Sequence, residues 1–295
     1  MGTMTLEHPL VVGVDGSEGS DVAVDWAVDE ASRHGLALRL VHASLWERYE
    51  HLAPSGSLER PAEQVMAEHI VASAAERARR RDPDVKVLTD IVAADATNAL
   101  LSEGERATAL VTGCRGRGGL KGLLLGSVSL AVAARATCPV IVVRGDKAGL
   151  AGTHRRILLG AGDAAESGDA AEFAFREAEC RRSVLDAVRA WRRPAHEPAG
   201  SATGEEPARH HERQARTGLD EVLRAAVAAH PGVRVRPATV EGPAHKVLVL
   251  RSAAADLVVV GARRTQGHFG LQLGRVAHTL LHHSYSPVAV VPQRD

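Results

Sequence analysis

Aromatic residues and cysteines are scarce in this chain of 295 residues. Phe, Trp and Tyr make up 3% of it, so the 45% of apolar residues must build their cores mainly from small and branched side chains. The three cysteines, Cys114, Cys138 and Cys180, form no Cys-x-x-Cys motif and cannot all pair with one another. This usage is typical of a reducing compartment and argues against a disulfide framework.

Net charge and long apolar runs are absent as well. The 36 Lys and Arg residues balance 36 Asp and Glu residues, so no overall field would recruit nucleic acid or an acidic membrane surface. No run of 18 apolar residues occurs, and the N-terminus lacks the basic and apolar segments of a signal peptide. We therefore expect a cytoplasmic protein that binds a small molecule or another protein, with no nucleic acid and no membrane.

Short apolar runs alternate with helix-forming segments along the first half of the chain. One short buried strand per helix predicts an α/β fold with a parallel, doubly wound sheet of five strands and helices on both faces. The predicted strands are 10–14, 36–43, 85–92, 107–112 and 140–143, and the predicted helices are 21–34, 59–81, 94–106 and a helix from 127 onward.

The second half of the chain repeats the first. The segment SPVAVV at 286–291 repeats CPVIVV at 138–143 with an offset of 148 residues, and Gly261 and Gly274 follow Gly113 and Gly126 at the same offset. This predicts a tandem duplication with domains at 1–147 and 154–295, joined by a small, flexible linker at 145–153. The second domain carries a polar stretch near 192–218, which we predict to be a disordered insert.

A glycine-rich loop follows the fourth strand. It holds Gly113, Gly116, Gly118, Gly119, Gly122 and Gly126, and Ser127 then opens a helix that its hydroxyl can cap. Glycines let several backbone N–H groups converge on one place, and a helix N-terminus favours anions, phosphate above all. The loop therefore has the features of a phosphate-binding site, although such a loop can also serve only to turn the chain.

The glycine spacing separates the known kinds of phosphate loop. A Walker A loop needs a lysine before Ser127, and the dinucleotide fingerprint needs a third glycine where Lys121 stands. The observed spacing, Gly113-x2-Gly116-x9-Gly126-Ser127, instead closely resembles the ATP-binding signature of the universal stress protein family. The resemblance covers nearly the whole chain.

The resemblance implies a fold and a ligand. The fold is a pair of Rossmann-like (adenine nucleotide alpha hydrolase-like) domains, each with the strand order 3-2-1-4-5. The ligand is ATP, with Mg²⁺ bridging its phosphates although no dedicated acidic cage is evident. Asp15 in the intact motif GVDGS would lie against the nucleotide, and the backbone of Val41 would contact adenine; their alternatives are a helix-capping turn residue and a core residue. The remaining cofactor-binding positions are Gly113, Gly116, Gly126, Ser127, Val128 and Ser129.

The two copies differ at the positions that carry this motif. Gly162 stands where Asp15 would be, Arg264 replaces Gly116, and Arg275 replaces Ser127. We therefore predict one ATP per chain, in the first domain.

Three functions remain open at this point. The first is a nucleotide-dependent regulator in stress response or adaptation, without substantial catalysis, because no catalytic constellation is visible. The second is a slow ATPase or an autokinase that phosphorylates Ser127 or Ser129, and the third is a structural dimerisation module. His278 and His282, at helical spacing, could bind a metal but lack a third ligand at a motif spacing, so we predict no metal site.

Assembly can be predicted from the apolar edge strands. Val140 to Val143 and its copy Val288 to Val291 are too apolar to stay exposed. We expect the two to pair in antiparallel orientation within one chain, as an internal pseudo-dimer. A homodimer and an unknown protein partner also remain open.

Overall fold

A computed structural model describes residues 8–45, 62–116, 125–193, 205–262 and 273–293. The chain forms two compact units that meet in sequence between Val143 and Arg144. The predicted linker at 145–153 contains a short helix, α5 (Lys147–Ala151), which belongs to the second unit. Asp146 caps this helix by accepting a hydrogen bond from the N–H of Gly149, so residues of the predicted flexible linker form regular secondary structure.

The first unit is the α/β domain that the alternation predicts. All its strand pairs are parallel, and the pairing gives the order β3-β2-β1-β4-β5. Its elements are β1 (Leu10–Gly13), α1 (Glu18–His34), β2 (Leu38–Ala43), α2 (Ala62–Arg81), β3 (Val87–Val92), α3 (Ala96–Gly104), β4 (Ala109–Gly113), α4 (Ser127–Arg135) and β5 (Val140–Val143).

The second unit repeats this architecture. Its strands are also parallel, in the order β8-β7-β6-β9-β10, so the α/β fold class is confirmed for both halves. Its elements after α5 are β6 (Arg156–Gly160), α6 (Ala164–Cys180), β7 (Val184–Trp191), α7 (Glu205–Ala229), β8 (Val235–Glu241), α8 (Ala244–Ser252), β9 (Leu257–Ala262), α9 (Arg275–His283) and β10 (Val288–Pro292).

The predicted disordered insert near 192–218 is wrong for the part that the structure describes. Residues 205–218 form the first half of α7, a helix of 25 residues that packs on α6, β7 and β8. Ala215, Leu219 and Val222 are buried at helical spacing, and an apolar stripe of this kind is enough to hold a helix against a sheet. Most residues of the segment are polar, so the sequence alone did not indicate this apolar stripe. Residues 194–204 lie outside the described part.

Small apolar side chains fill the core of the first unit, as the composition indicates. β1 and β4 are buried throughout their apolar residues, and α1 covers them with Ala23, Val24, Ala27 and Ala31 at three- and four-residue spacing. Each fully buried Val or Leu contributes about 1.5–3 kcal/mol relative to its exposed state. Central burial of β1 and β4 therefore fixes the strand ends from which the site is built.

Helix α1 has a well-defined beginning and end. Ser17 is its N-cap, and Gly35 ends it in the left-handed conformation with φ 66°, which glycine adopts without a steric penalty. None of the helices in the described segments combines the length and apolar character needed to cross a bilayer.

Candidate functional site

The candidate site lies at the carboxyl ends of β1 and β4, which are neighbours in the sheet. The chain continues from β1 to β2 on one side and from β4 to β5 on the other. The crossover connections therefore diverge between β1 and β4, and open parallel sheets bind their ligands in the crevice that such a divergence leaves. Asp15 follows β1 by two residues, and the glycine loop follows β4.

Asp15 and Gly116 are brought together at this point. A Cβ atom built on Gly116 would lie 2.5 Å from Oδ2 of Asp15, closer than carbon and oxygen can approach without a shift. The half-buried Asp15 carboxylate thus lies directly against the loop backbone. These two predicted site residues, which follow different strands, are therefore neighbours.

Ser17 holds the carboxylate of Asp15. The Ser17 N–H and hydroxyl both donate to Oδ1 of Asp15, at 3.0 and 2.6 Å, and the N–H of Asp15 donates to Ser20 Oγ at 3.3 Å. Asp15 is therefore a turn residue of the Asx type. The capping role belongs to Ser17, whose Oγ accepts the N–H of Ser20 at 3.2 Å.

The three signature glycines have different reasons to be glycine. A side chain at Gly113 would overlap the backbone of Gly19 in the first turn of α1, and one at Gly116 would meet Asp15. Gly126 has an ordinary φ of −72°, and the nearest described atom to a Cβ there would be Cys114 O, at 3.7 Å. Among the described residues, neither backbone strain nor packing requires glycine at position 126.

Helix α4 begins at Ser127 as predicted, but a different residue caps it. The first helical hydrogen bond runs from Leu130 N–H to Gly126 O at 3.1 Å, so Gly126 is the N-cap and the prediction that Ser127 caps the helix is wrong. Ser127 is the first helical residue, and its side chain is exposed. Because Gly126 has no side chain to cap the helix, the first turn keeps the N–H groups that attract anions.

The other predicted positions contribute less directly. Ser129 is buried and its hydroxyl donates to the carbonyl of Gly113 at 2.7 Å, which ties α4 to the end of β4. Val128 is half-buried. Val41 is buried, and its carbonyl accepts the N–H of Val14 at 2.9 Å, so contact of its backbone with adenine stays a prediction.

Two residues at the site were missed by sequence reasoning. Nδ1 of His42 lies 2.7 Å from the carbonyl oxygen of Val14, and since a carbonyl only accepts, this nitrogen carries the proton. A Cβ on Gly19 would overlap the carbonyl of Arg115. The available signals were a polar side chain directly after Val41 and a glycine in the first turn of α1.

The corresponding place in the second unit is filled by an arginine. The register that pairs Gly13 with Val41 pairs Gly160 with Val188, so Arg189 corresponds to His42. The guanidinium of Arg189 donates to the carbonyl of Gly162 and, at 2.7 Å, to Oδ1 of Asp163. Arg189 therefore lies at the strand end where the first unit has its carboxylate.

The second glycine loop can be described only in part. Arg264 lies outside the described residues, and Arg275 is the first residue of α9, whose N-cap is Gly274. A cationic side chain at this helix end is unfavourable by about 0.3–1 kcal/mol when no anion is bound.

The histidines of α9 lie close together without forming a metal centre in the described part of the chain. The ring centroids of His278 and His282 are 4.6 Å apart. No third His, Cys, Asp or Glu donor from the described segments joins them. Burial lowers the pKa of His282, and repulsion from His278, His283 and Arg144 lowers it further.

Comparison with known proteins agrees with the tandem α/β architecture. The model of the universal stress protein family matches residues 8–144 and again 153–292. The universal stress proteins Rv2005c and Rv2623 of Mycobacterium tuberculosis are 32% and 31% identical to this chain over 300 and 297 residues. These alignments cover 97% of this chain and 98% of the first relative, and 95% of this chain and of the second.

Solved structures show the same fold. A universal stress protein from Archaeoglobus fulgidus superimposes with a TM-score of 0.63 at 18% identity, over 98% of this chain and 99% of that one. The chain belongs to the universal stress protein family, in a form with two tandem domains.

Proposed function

We propose that the first domain binds ATP and that its occupancy regulates a partner or the assembly of the chain, without substantial catalysis. The observation that carries this proposal is the arrangement of Asp15 and Gly116 beside Gly126. A carboxylate, a loop backbone and a helix N-terminus converge at one strand end, and the glycine at the N-cap has no reason within the described protein.

Each part of this arrangement suits one part of a nucleotide. The N–H groups at the start of α4 and in the loop would bind the phosphates, together with the exposed Ser127 hydroxyl. The Asp15 carboxylate would accept hydrogen bonds from the ribose, as acidic residues do in other open α/β sheets, and the strand end at Val41 would face the base. Mg²⁺ would be held by phosphate oxygens and water, since it commonly keeps several waters in nucleotide sites.

The state of the Asp15 carboxylate favours nucleotide binding over nucleotide turnover. The described part of the site offers one carboxylate, Asp15, and Oδ1 of this group is already engaged by Ser17. Phosphoryl transfer needs a group that aligns the nucleophile and cations that neutralise the developing charge. Sustained turnover of about one per second or faster, abolished by Asp15→Ala, would contradict this part of the proposal.

Slow autophosphorylation is a second candidate, and the geometry favours one of the two serines. The Ser129 hydroxyl is buried and donates to Gly113, whereas Ser127 is exposed at the first position of α4. If the protein labels itself with the γ-phosphate of ATP, we expect the label on Ser127. Labelling that survives Ser127→Ala would contradict this assignment.

The wider setting of the proposal is a cytoplasmic regulator. The three cysteines form no Cys-x-x-Cys motif, and this usage is typical of a reducing compartment. Two tandem domains suit an intramolecular pair. Pairing between their edge strands, a homodimer and an unidentified protein partner stay predictions.

Mass spectrometry of the ligand released from gently purified protein tests the proposal. Recovery of ATP, together with a calorimetric stoichiometry near one per chain, is the expected result. Recovery of ADP alone would favour a slow ATPase. A full chain that neither carries nor binds a nucleotide would contradict the proposal and favour a structural module.

A further inference from the structure

The hydroxyl of Ser17 lies between the two halves of the candidate site. It is 2.6 Å from Oδ1 of Asp15, at the end of β1, and 3.3 Å from the carbonyl oxygen of Arg115, in the glycine loop. Arg115 is 98 residues away in sequence. We propose that Ser17 is the positioning residue of the site, which orients Asp15 for the nucleotide and links it to the loop. This inference rests on the function proposed above.

The Ser17 hydroxyl proton has two possible acceptors, Asp15 Oδ1 and the Arg115 carbonyl, but it can form a strong hydrogen bond with only one of them. An O–H···O⁻ bond of 2.6 Å to a carboxylate is in the range of strong, charge-assisted hydrogen bonds, whereas a 3.3 Å contact to a neutral carbonyl is weak. The proton therefore points mainly to Asp15. A rotation of the hydroxyl would transfer its bond to Arg115, so the carboxylate and the loop share one donor.

The two bonds from Ser17 decide which oxygen of Asp15 faces the loop. The N–H and the hydroxyl of Ser17 both go to Oδ1, at 3.0 and 2.6 Å. Oδ2 is the oxygen on the side of Gly116. A carboxylate that is already oriented costs the ligand less ordering entropy when it binds, which strengthens binding.

Comparison with the second domain distinguishes the positioning role of Ser17 from its role as a helix cap. Ser20 and its counterpart Ser167 both accept a backbone N–H, from Asp15 at 3.3 Å and from Gly162 at 2.9 Å. This backbone-binding serine is present in both copies. The counterpart of Ser17 is Ala164, which is the first residue of α6; the N-cap of α6 is Asp163, whose side chain makes no capping hydrogen bond.

The serine at position 17 therefore occurs in the copy that has the carboxylate and is missing from the copy that lacks it. A helix begins within one residue of this point in either case, at Glu18 in the first copy and at Ala164 in the second. Formation of the helix does not require the serine, and orientation of Asp15 is the remaining role that differs between the copies.

Calorimetric titration of the full chain with ATP tests the inference. Ser17→Gly removes the hydroxyl but is a mild change for a cap, because glycine costs only a few tenths of a kcal/mol at an N-cap. We expect this variant to bind ATP about tenfold or more weakly, since a hydrogen bond to a charged group is lost. Ser17→Thr keeps the hydroxyl and should restore binding to within about twofold of the wild type.

A matched control removes a cap elsewhere in the same domain. Asp95 caps α3 by accepting the N–H of Asn98 at 3.1 Å. Asp95→Ala should lower the melting temperature at least as much as Ser17→Gly, yet leave ATP affinity unchanged.

Each outcome of this comparison decides something. Wild-type affinity in Ser17→Gly, or equal weakening in Ser17→Thr, would overturn the positioning role while leaving the proposed function intact. Equal loss of affinity in Asp95→Ala would show that general destabilisation is the cause and would also overturn it. A wild-type chain that does not bind ATP would overturn the proposed function and this inference together.

Discussion

Oδ2 of Asp15 lies 2.5 Å from the point where Gly116 would carry a Cβ atom. The carboxylate and the loop backbone therefore share a space that no larger residue at position 116 can enter without moving Asp15. The contact joins two segments that are 101 residues apart in the chain (116 minus 15). Gly116 is therefore needed for the position of the Asp15 side chain, whereas the sheet itself is formed by other residues.

Gly116→Ala should therefore separate binding from folding. The new methyl group would push the Asp15 side chain away, because a flexible side chain yields more easily than backbone. We expect ATP affinity to fall about tenfold or more, with a melting temperature close to that of the wild type. Gly232→Ala is the matched control, since a Cβ at Gly232 meets nothing within 4 Å. Unchanged affinity in Gly116→Ala would show that Asp15 takes no part in binding.

Gly126→Val should abolish ATP binding, and Gly274→Val should not. Both residues are helix N-caps with ordinary φ, −72° and −54°, and both have room for a side chain among the described residues. The two changes should therefore affect stability similarly. Only the first fills the space in which we propose that the phosphates bind. Titration of both variants checks this, and loss of binding in Gly274→Val alone would place the ligand in the second domain.

His230 should make the second domain less stable as the pH rises. Its ring nitrogens lie 3.0 Å from Glu172 Oε1 and 2.9 Å from Glu179 Oε2. The hydrogen bond that the His230 ring donates to Glu172 is the largest cause that raises the pKa of His230 above its ordinary value of 6.5. This stabilisation is complete below pH 6.5, the unfolded value, and is lost as the pH rises through the folded pKa.

Thermal melts at several pH values check this expectation. Between about pH 6 and about pH 9, the wild-type chain should lose its stability advantage over His230→Gln. The advantage should be small, because exposed ion pairs contribute about 0.2–1 kcal/mol. Glu172→Gln should reduce it as well. An advantage that grows with pH would contradict the assigned charge of the ring.

His282, in contrast, should make the second domain less stable as the pH falls. Burial lowers its pKa below 6.5, with further contributions from His278, His283 and Arg144, so the folded state favours the neutral ring. The unfolded chain therefore binds more protons as the pH falls through 6.5, and the free energy of unfolding decreases.

We expect His282→Gln to flatten the acid side of the stability profile between about pH 7 and about pH 5. Denaturant titrations at fixed pH values would measure this. His245→Gln, in α8, serves as the control for removal of one histidine. An acid profile steeper in His282→Gln than in the wild type would show that the ring is stabilised in its charged form.

The sequence was sufficient for the features that depend on local pattern. The alternation of apolar runs predicts every strand of the first unit, and the 148-residue offset predicts the repetition of the sheet. The spacing of Gly113, Gly116 and Gly126 predicts a loop after β4, and Gly116 of this loop lies beside Asp15 at the end of β1. The cap of α4 was assigned to Ser127 and is Gly126, because the N-cap is the residue whose carbonyl accepts the first helical hydrogen bond.

Features that depend on distant contacts could not be predicted from the sequence. Position 113 needs glycine because Gly19 in α1 lies against it, and this contact requires the packed sheet. Arg189 lies at a strand end of the second unit only because β7 pairs with β6 in that register. Helix α7 was mistaken for disorder because its buried face makes up a small part of a polar segment.

The contact between Gly19 and Gly113 has a consequence for how this motif is read in other chains. Gly113 is required by the architecture, whereas Gly126 is required by nothing in the described protein. During divergence, the first glycine should persist as long as α1 packs on β4, even after the ligand is lost. The other can be replaced once selection for the ligand ends. A relative that keeps Gly113 and has lost Gly126 should therefore keep the fold without the nucleotide site that we propose here.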